Sequence, residues 1–429
     1  MKEFIKLLIF YQDLGLIHKK NYSEKSTFYN YINFFLKIKN LNKFQIIFNL
    51  RNFIIKIVSI IYLPIGFLFY CFNIRLVVVN SQSLGSYIEE IENILIFNEK
   101  KKFNLIFFSP NSFTYNHYFE KFFLKKKITI FKKDIFSIFF VPLSFINFIK
   151  VTPYNYLNKK IFFERQYYYF KKEKLNGVFD HEIFANKLKK NKKIFSFSKN
   201  KTSIIKEEVL NKLNTQNKKI CVIHVRNEPN IISRNHSFKN LKKTIKYLSS
   251  KNYIILNFNK KKSGFKNLNY FEFNVFDKKN LELQIKSYIA ADLFIGSLSG
   301  PGILAKALNK KSVFTNSIIF NYLIFYDDVN VLSKRFYKNK KILNIKKIFE
   351  NNLECVWDNE IFKKNKIKLI ENNNEEIFKA TYELLNKKVR SKYIISYLRK
   401  NKIYFKNYKF ALIRFLSQNF AKKNKICSD

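Results

Sequence analysis

The most chemically informative part of this sequence is a cluster of small polar residues within the segment 295–316. Three of the eight glycines in the chain, Gly296, Gly300 and Gly302, fall within seven positions. Gly296 ends a short apolar run, and Gly300 and Gly302 flank Pro301 at the start of a helical pattern. Proline suits a first helical turn because that turn needs no N–H from it. The free amides and the dipole of such a helix end bind anions, so the segment predicts a phosphate site; an ordinary strand-to-helix turn is the alternative. The predicted contacts are Ser297, Ser299, Gly300, Pro301 and Gly302.

A second polar cluster lies at the end of a predicted buried strand, residues 219–225. His224, Arg226 and Glu228 alternate there, which places all three side chains on one face of a strand. In open α/β sheets ligands bind beyond the carboxyl ends of strands, where an arginine can hold a phosphate through two parallel hydrogen bonds. A solvated polar loop is the alternative, but the glycine and serine cluster about 70 residues later favours a site. The loop continues as Ser233, Arg234, Asn235 and His236.

Together these clusters resemble bacterial glycosyltransferases of the GT-B type, which are usually met among surface-polysaccharide functions. The resemblance rests on the His-x-Arg strand end, on Arg234-Asn235, and on the stretch 295–301 followed by Thr315-Asn316. Fucosyltransferases and heptosyltransferases are similar in the first and third of these signals, and their carboxyl-terminal domain holds the nucleotide sugar. The resemblance is good from about residue 218 to 385. It thins towards the amino terminus, where the segment 83–86 reads Ser-Leu-Gly-Ser and the family favours Arg-x-Gly-His.

This resemblance implies an α/β protein in which two Rossmann-like, doubly wound domains face a cleft. Arg226 and His224 are the implied catalytic residues: Arg226 would stabilise charge on a leaving diphosphate, and His224 would order the strand end. The chain shows no convincing Asp-x-Asp metal site, so a reaction without metal or cofactor is expected. The implied donor-binding residues are Arg234, Asn235, Ser297, Ser299, Gly300, Pro301, Gly302 and Asn316. The candidates for a general base are Glu228, Glu89 and His117.

The alternation of apolar runs and helical patterns predicts four segments along the chain. They are an amino-terminal helical, membrane-associated segment (1–73), an acceptor-side Rossmann-like domain (74–200), a nucleotide-sugar donor domain (218–385) and a basic, aromatic helical tail (386–429). A lysine- and asparagine-rich linker is expected between residues 187 and 219, and a less regular region between 316 and 375. Predicted strands begin near residues 74, 103 and 128 in the first domain, and near 219, 253, 268, 292 and 312 in the second.

Two segments are candidates for membrane contact. Residues 53–72 are mainly apolar but are interrupted by Lys56 and Pro64, and no signal-peptide pattern precedes them. Three interpretations stay open: an interface-embedded hairpin or helix, a transmembrane helix, and a buried core helix. The tail holds thirteen Lys or Arg residues, which could contact an anionic membrane surface or could pack back on the domain. Peripheral or monotopic attachment to the cytoplasmic face of the inner membrane is expected.

The formal charge of +49 suggests nucleic-acid binding at first sight. However, the abundant Lys, Asn, Ile, Phe and Tyr share AT-rich codons, the lysines are spread through every segment, and no nucleic-acid-binding motif is present. Nucleic acid is therefore not an expected partner. The expected partners are a nucleotide-sugar donor, a glycan or lipid-linked acceptor, and an anionic membrane surface. The rival interpretations are a catalytically inactive scaffold of a glycan assembly complex and, less favoured, a nucleic-acid-binding protein.

Overall fold

The structure, a computed structural model, divides the chain into two compact units, Met1–Lys171 and Lys172–Asp429. The predicted boundaries of the four segments stay predictions. Among the residues that the structure describes, no helix is both long and apolar enough to cross a bilayer. The structure describes residues 195, 197–227, 233, 235–259, 263–275, 277–318, 320, 328–351, 353, 356, 359–386, 392–401 and 416–427, and before them three strands and isolated positions between 57 and 122.

The described part of the first unit consists of a parallel sheet and of isolated helical positions. Its three strands lie in the order β1-β2-β3 and start where the sequence predicts strands. Tyr87, Ile88 and Ile91 are helical and fully buried, and the Tyr87 ring meets the Phe119 ring edge-on with 5.9 Å between centroids. The strand and helix patterns predicted for this region are therefore confirmed at these positions. The strands are β1 (Ile74–Val78), β2 (Asn104–Ser109) and β3 (Thr129–Lys132).

The second unit is built around a six-stranded, wholly parallel sheet. The strand order is β6-β5-β4-β7-β8-β9, so the chain runs outward from β4 to β6, returns to the other side of β4, and runs outward again to β9. This is the order of a Rossmann-like, doubly wound sheet. The predicted α/β class is thus confirmed, whereas β9 falls in the region expected to be less regular. The strands are β4 (Lys219–His224), β5 (Tyr253–Asn259), β6 (Tyr270–Asn274), β7 (Leu293–Gly296), β8 (Ser312–Ser317) and β9 (Val329–Ser333).

Helices and a small antiparallel sheet complete the described part of this unit. The sheet has the order β11-β10-β12 and consists of β10 (Arg335–Lys338), β11 (Lys341–Ile342) and β12 (Lys368–Ile370). A 3₁₀ turn, Phe238–Leu241, leads into the second helix. The helices are α1 (Lys199–Lys212), α2 (Lys242–Ser250), α3 (Lys278–Ala290), α4 (Gly300–Ala307), α5 (Ile345–Glu350), α6 (Asn359–Lys364), α7 (Asn374–Asn386), α8 (Lys392–Lys400) and α9 (Gln418–Lys423).

The linker expected between residues 187 and 219 is wrong for Lys199–Lys212, because that part of the stretch is helix α1. Ser198 caps the helix by accepting a hydrogen bond from the Lys201 amide at 3.2 Å. Ile205 and Val209, one turn apart, are buried where α1 packs against α3. The rest of the helix is rich in lysine and asparagine, so the composition of the segment does not indicate a helix with an apolar face. The apolar face is recognised only from its packing against α3.

The last part of the basic tail, residues 416–427, packs back on the second unit. Leu416 forms a parallel bridge with Val331 of β9, and the Ser417 amide donates to the Val331 carbonyl at 2.9 Å. The buried Glu383 carboxylate on α7 accepts a hydrogen bond from Ser417 Oγ at 2.6 Å and another from the Gln418 amide at 3.3 Å. This segment therefore covers the outer edge of the sheet, which would otherwise present unpaired backbone groups. Contact of the tail with an anionic membrane stays a prediction.

We expect Glu383→Gln to lower the free energy of unfolding by about 1–3 kcal/mol, because the two donors from the tail lose a charged acceptor in a buried place. Urea unfolding of the full chain measures this difference. The control is Glu350→Gln on α5, whose exposed carboxylate should change stability by less than about 0.5 kcal/mol. Equal stability of the two variants would show that the tail is not held by Glu383.

Candidate functional site

The candidate site lies where the sheet of the second unit reverses its winding direction. β4 and β7 are neighbours there, with His224 opposite Gly296 at their carboxyl ends, while the connections that follow them leave towards opposite sides of the sheet. Ligands of open α/β sheets bind in the crevice that this divergence creates. The two clusters singled out in the sequence thus meet at one point of the fold.

Two glycines allow the backbone segments at this point to approach closely. A Cβ atom on Gly296 would lie 2.6 Å from the His224 carbonyl oxygen and 2.9 Å from the Phe294 ring. A Cβ atom on Gly302 would lie 2.5 Å from the Ser297 carbonyl oxygen. Both distances are shorter than van der Waals contact, so a side chain at either position would push the turn away from β4 or from α4.

The turn between β7 and α4 has the geometry of an anion site. Ser299 is extended and precedes the helix, Pro301 lies in its first turn, and the amides of that turn have no helical carbonyl to which they can donate. Ser297 Oγ is buried and has no hydrogen-bond partner among the described residues. Because buried hydroxyls are normally satisfied, this atom is available to a ligand that reaches the turn.

The end of β4 places two nitrogen-bearing side chains beside this turn. His224 and Arg226 are half-buried on either side of the buried Val225, as the predicted alternation requires. The Arg226 carbonyl accepts a hydrogen bond from the His236 amide at 3.1 Å, which closes the loop after β4 back on the strand end. Asn235 is half-buried in the same loop.

His236 is a site residue to which the sequence assigned no role. It is buried, and its Nδ1 atom lies 2.9 Å from the Thr315 hydroxyl of β8, while its Nε2 atom has no hydrogen-bond partner among the described residues. Burial, followed by the charges of His224 and Lys334, lowers the pKa of His236 to about 3. The imidazole is therefore neutral at physiological pH, and its second nitrogen keeps its capacity for a hydrogen bond.

Lys334 follows β9 and is the second residue that the sequence did not predict. Its backbone amide donates to the Ser317 carbonyl at 2.8 Å, and its side chain is buried. Burial lowers the pKa of its ammonium group, and the charge of Glu371 opposes that shift. No carboxylate among the described residues forms an ion pair with it, so a buried cation remains for an anionic ligand to neutralise. No composition signal distinguishes this lysine from the others in the chain.

Asn316, predicted as a donor contact, has a clear structural role at the end of β8. Its φ of 54° lies in the left-handed region, where asparagine is tolerated better than most residues. Its amide donates to Asn372 Oδ1 at 2.7 Å, and its own Oδ1 accepts from the Asn372 amide at 2.9 Å. Asn372 also donates to the Ser333 carbonyl at 2.8 Å, which ties the ends of β8 and β9 together. Only the Asn316 Nδ2 atom is left for a ligand, so its predicted donor contact stays a prediction.

Four of the predicted site residues lie outside the described residues, and their roles also stay predictions. They are Arg234 and the three candidates for the general base, Glu228, Glu89 and His117. Among the described residues, no group of three or more His, Cys, Asp or Glu side chains is arranged to hold a metal ion.

Comparisons with known proteins return structural similarity only. No protein-family model matches the sequence, and no characterised protein matches it significantly. ADP-heptose LPS heptosyltransferase II of E. coli has 11% identity and a TM-score of 0.38, over 62% of this chain and 91% of that one. A family 9 glycosyl transferase from Veillonella parvula has 11% identity and a TM-score of 0.37, over 72% and 97%. The iron-containing dodecameric glycosyltransferase TibC from enterotoxigenic E. coli has 12% identity and a TM-score of 0.32, over 56% and 58%.

We expect Gly296→Ala to lower the free energy of unfolding by about 1–3 kcal/mol, because the added methyl group must displace β4 or the Phe294 ring. Denaturant unfolding monitored by circular dichroism gives the value. A variant as stable as the wild type would contradict the close approach of β4 and β7.

We expect the buried neutral His236 to make the protein sensitive to acid. The pKa of this imidazole is about 3 in the folded chain and near 6.5 in an unfolded one, so its contribution is complete above pH 6.5 and is lost as the pH falls towards 3. Thermal unfolding at pH 7 and at successively lower pH should therefore show a smaller loss of stability for His236→Gln than for the wild type. Parallel pH profiles of the two proteins would contradict this account.

Proposed function

We propose that this protein is a glycosyltransferase that binds a nucleotide-sugar donor in the crevice of its second unit. The most direct support is the position of two groups where the sheet reverses its winding direction. The end of β4 carries the cationic Arg226, and α4 begins beside it after a turn of small residues. A diphosphate fits these groups because it needs cations and several hydrogen-bond donors at once. The proposed acceptor is a glycan or a lipid-linked sugar in bacterial surface-polysaccharide synthesis.

The reaction requires little covalent chemistry from the protein. The acceptor oxygen forms a bond to the anomeric carbon, the bond from that carbon to the diphosphate oxygen breaks, and the leaving nucleoside diphosphate takes the electron pair. The acceptor hydroxyl gives its proton to a base, for which Glu228, Glu89 and His117 are the candidates. The protein's main task is to stabilise the negative charge that grows on the diphosphate.

The described residues divide this task between charge and hydrogen bonds. Arg226 supplies a cation that can bind two phosphate oxygens, and Lys334 supplies a second, buried cation. Ser297 Oγ and the first-turn amides of α4 supply hydrogen bonds. His236 is neutral and so contributes a hydrogen bond without charge. Because Ser297, His236 and Lys334 are buried, their interactions are screened less by water than those of the half-buried Arg226.

We expect Arg226→Ala to weaken binding of the donor by about tenfold to a hundredfold, the loss of roughly 1.5–3 kcal/mol from one charged hydrogen-bonding partner. Thermal unfolding of the full chain with a panel of nucleoside diphosphates and nucleotide sugars measures this. A ligand at about 100 times its Kd adds about 2.7 kcal/mol to the wild type. The stabilisation should persist with a chelator present, because no metal takes part in the proposed contacts.

The matched control for this experiment is Lys251→Ala. It also removes one positive charge, but Lys251 is exposed and precedes β5, so it lies at the opposite, amino-terminal edge of the sheet. Its ligand response should equal that of the wild type. No stabilisation by any member of the panel, with the protein folded, would contradict a donor site and favour the inactive scaffold.

A further inference from the structure

The first unit carries an exposed apolar face on a helical segment. Ile57, Ile61, Ile65 and Leu68, which we name the apolar stripe, are helical positions with exposed fractions of 48%, 72%, 41% and 53%. Their spacing of four, four and three residues places them on one side of a helix. Large aliphatic side chains normally pack into a core, so a row of four of them facing outward requires an explanation.

Phe72, which is 67% exposed and follows Leu68 by four residues, continues the stripe. The exposed large apolar side chains elsewhere among the described residues form no such row. They are Ile204 on α1, Leu268 before β6, Ile342 on β11 and Tyr382 on α7, each on a different element. Single exposed apolar residues are normal on protein surfaces, whereas a contiguous apolar face marks a place where another apolar body binds. The stripe therefore stands apart from the rest of the described surface.

The charge of the surrounding sequence indicates which apolar body this is. Between residues 25 and 88 there are seven basic residues and no aspartate or glutamate. A second copy of the chain would bring the same positive charges together, and the repulsion would oppose such a dimer. A bilayer that contains anionic lipid offers both an apolar interior for the stripe and negative charge for the basic residues. The basic residues are Lys25, Lys37, Lys39, Lys43, Arg51, Lys56 and Arg75.

We propose that the apolar stripe docks the protein on an anionic lipid bilayer, with its four side chains inserted at the boundary between head groups and acyl chains. A helix that presents an apolar face within a basic stretch of sequence is suited to binding in the plane of such an interface. Of the three interpretations open for residues 53–72, this proposal selects the interface-embedded one. It rests on the exposed side chains and the charge, and it is independent of the proposed glycosyl transfer.

The test is co-flotation of the full-length protein with vesicles of phosphatidylcholine alone or of phosphatidylcholine mixed with phosphatidylglycerol. The wild type should bind the mixed vesicles more tightly, and added salt should weaken this binding. The double variant I61S/L68S should bind them at least about tenfold more weakly, because two apolar side chains no longer enter the bilayer. Since both side chains are exposed in the folded chain, thermal unfolding of this variant should match the wild type.

The matched control is I204S/L268S, which makes the same two changes at exposed positions of the second unit and should float like the wild type. Equal flotation of both double variants would overturn the proposal. So would a wild type that resists extraction by alkaline carbonate, because that result indicates a spanning segment. A wild type that ignores all vesicles and sediments as a dimer, which I61S/L68S dissociates, would show instead that the stripe binds a second copy.

Discussion

The close approach of β4 and β7 is the constraint on which the rest of the second unit depends. β7 can pair with β4 along its full length, up to Gly296 opposite His224, because Gly296 has no side chain where it faces the His224 carbonyl. This pairing allows the sheet to extend in both directions from its centre, and the crevice exists because the following connections diverge. Gly302 acts in the same way at the start of α4, because its lack of a side chain allows the helix to lie against the Ser297 carbonyl. The geometry of the candidate anion site is thus a consequence of two missing side chains.

Around this crevice the sheet ends in buried polar groups rather than apolar ones. His236 pairs with Thr315, and Asn316 pairs with Asn372 in both directions. Such groups lower stability unless they are hydrogen-bonded, and most of these are. The atoms left without partners among the described residues include Ser297 Oγ, His236 Nε2 and Asn316 Nδ2, which belong to buried residues at the carboxyl ends of the strands or in the loops that follow them, as does the buried Lys334. Apolar side chains at these strand ends would make the fold more stable. Buried polar groups there are instead suited to hydrogen-bond a charged ligand that has lost its hydration water.

The basic residues that give the chain its high net charge differ in burial and in their charged neighbours, and therefore differ in their capacity to bind an anion. Most lysines in the described part of the chain are exposed, as on α1, where they obscure the apolar face of the helix in the sequence. Lys334 matters because it is buried and no carboxylate of the described residues forms an ion pair with it. The basic residues of the sequence around the apolar stripe matter because residues 25–88 contain no aspartate or glutamate. Burial and local balance, rather than the total of +49, decide which charges can bind an anion.

The sequence by itself determined the elements that local patterns encode. The apolar runs predicted β4 to β8, the glycine and serine cluster predicted the turn before α4, and the alternation around Arg226 predicted which side chains share a face. It did not reveal α1, β9, Lys334 or the role of His236. Each of these depends on a partner distant in sequence: α3, the tail, the end of β8, and Thr315. Burial is a property of the assembled sheet, so only the tertiary structure could decide which of many similar lysines and histidines lies in the crevice.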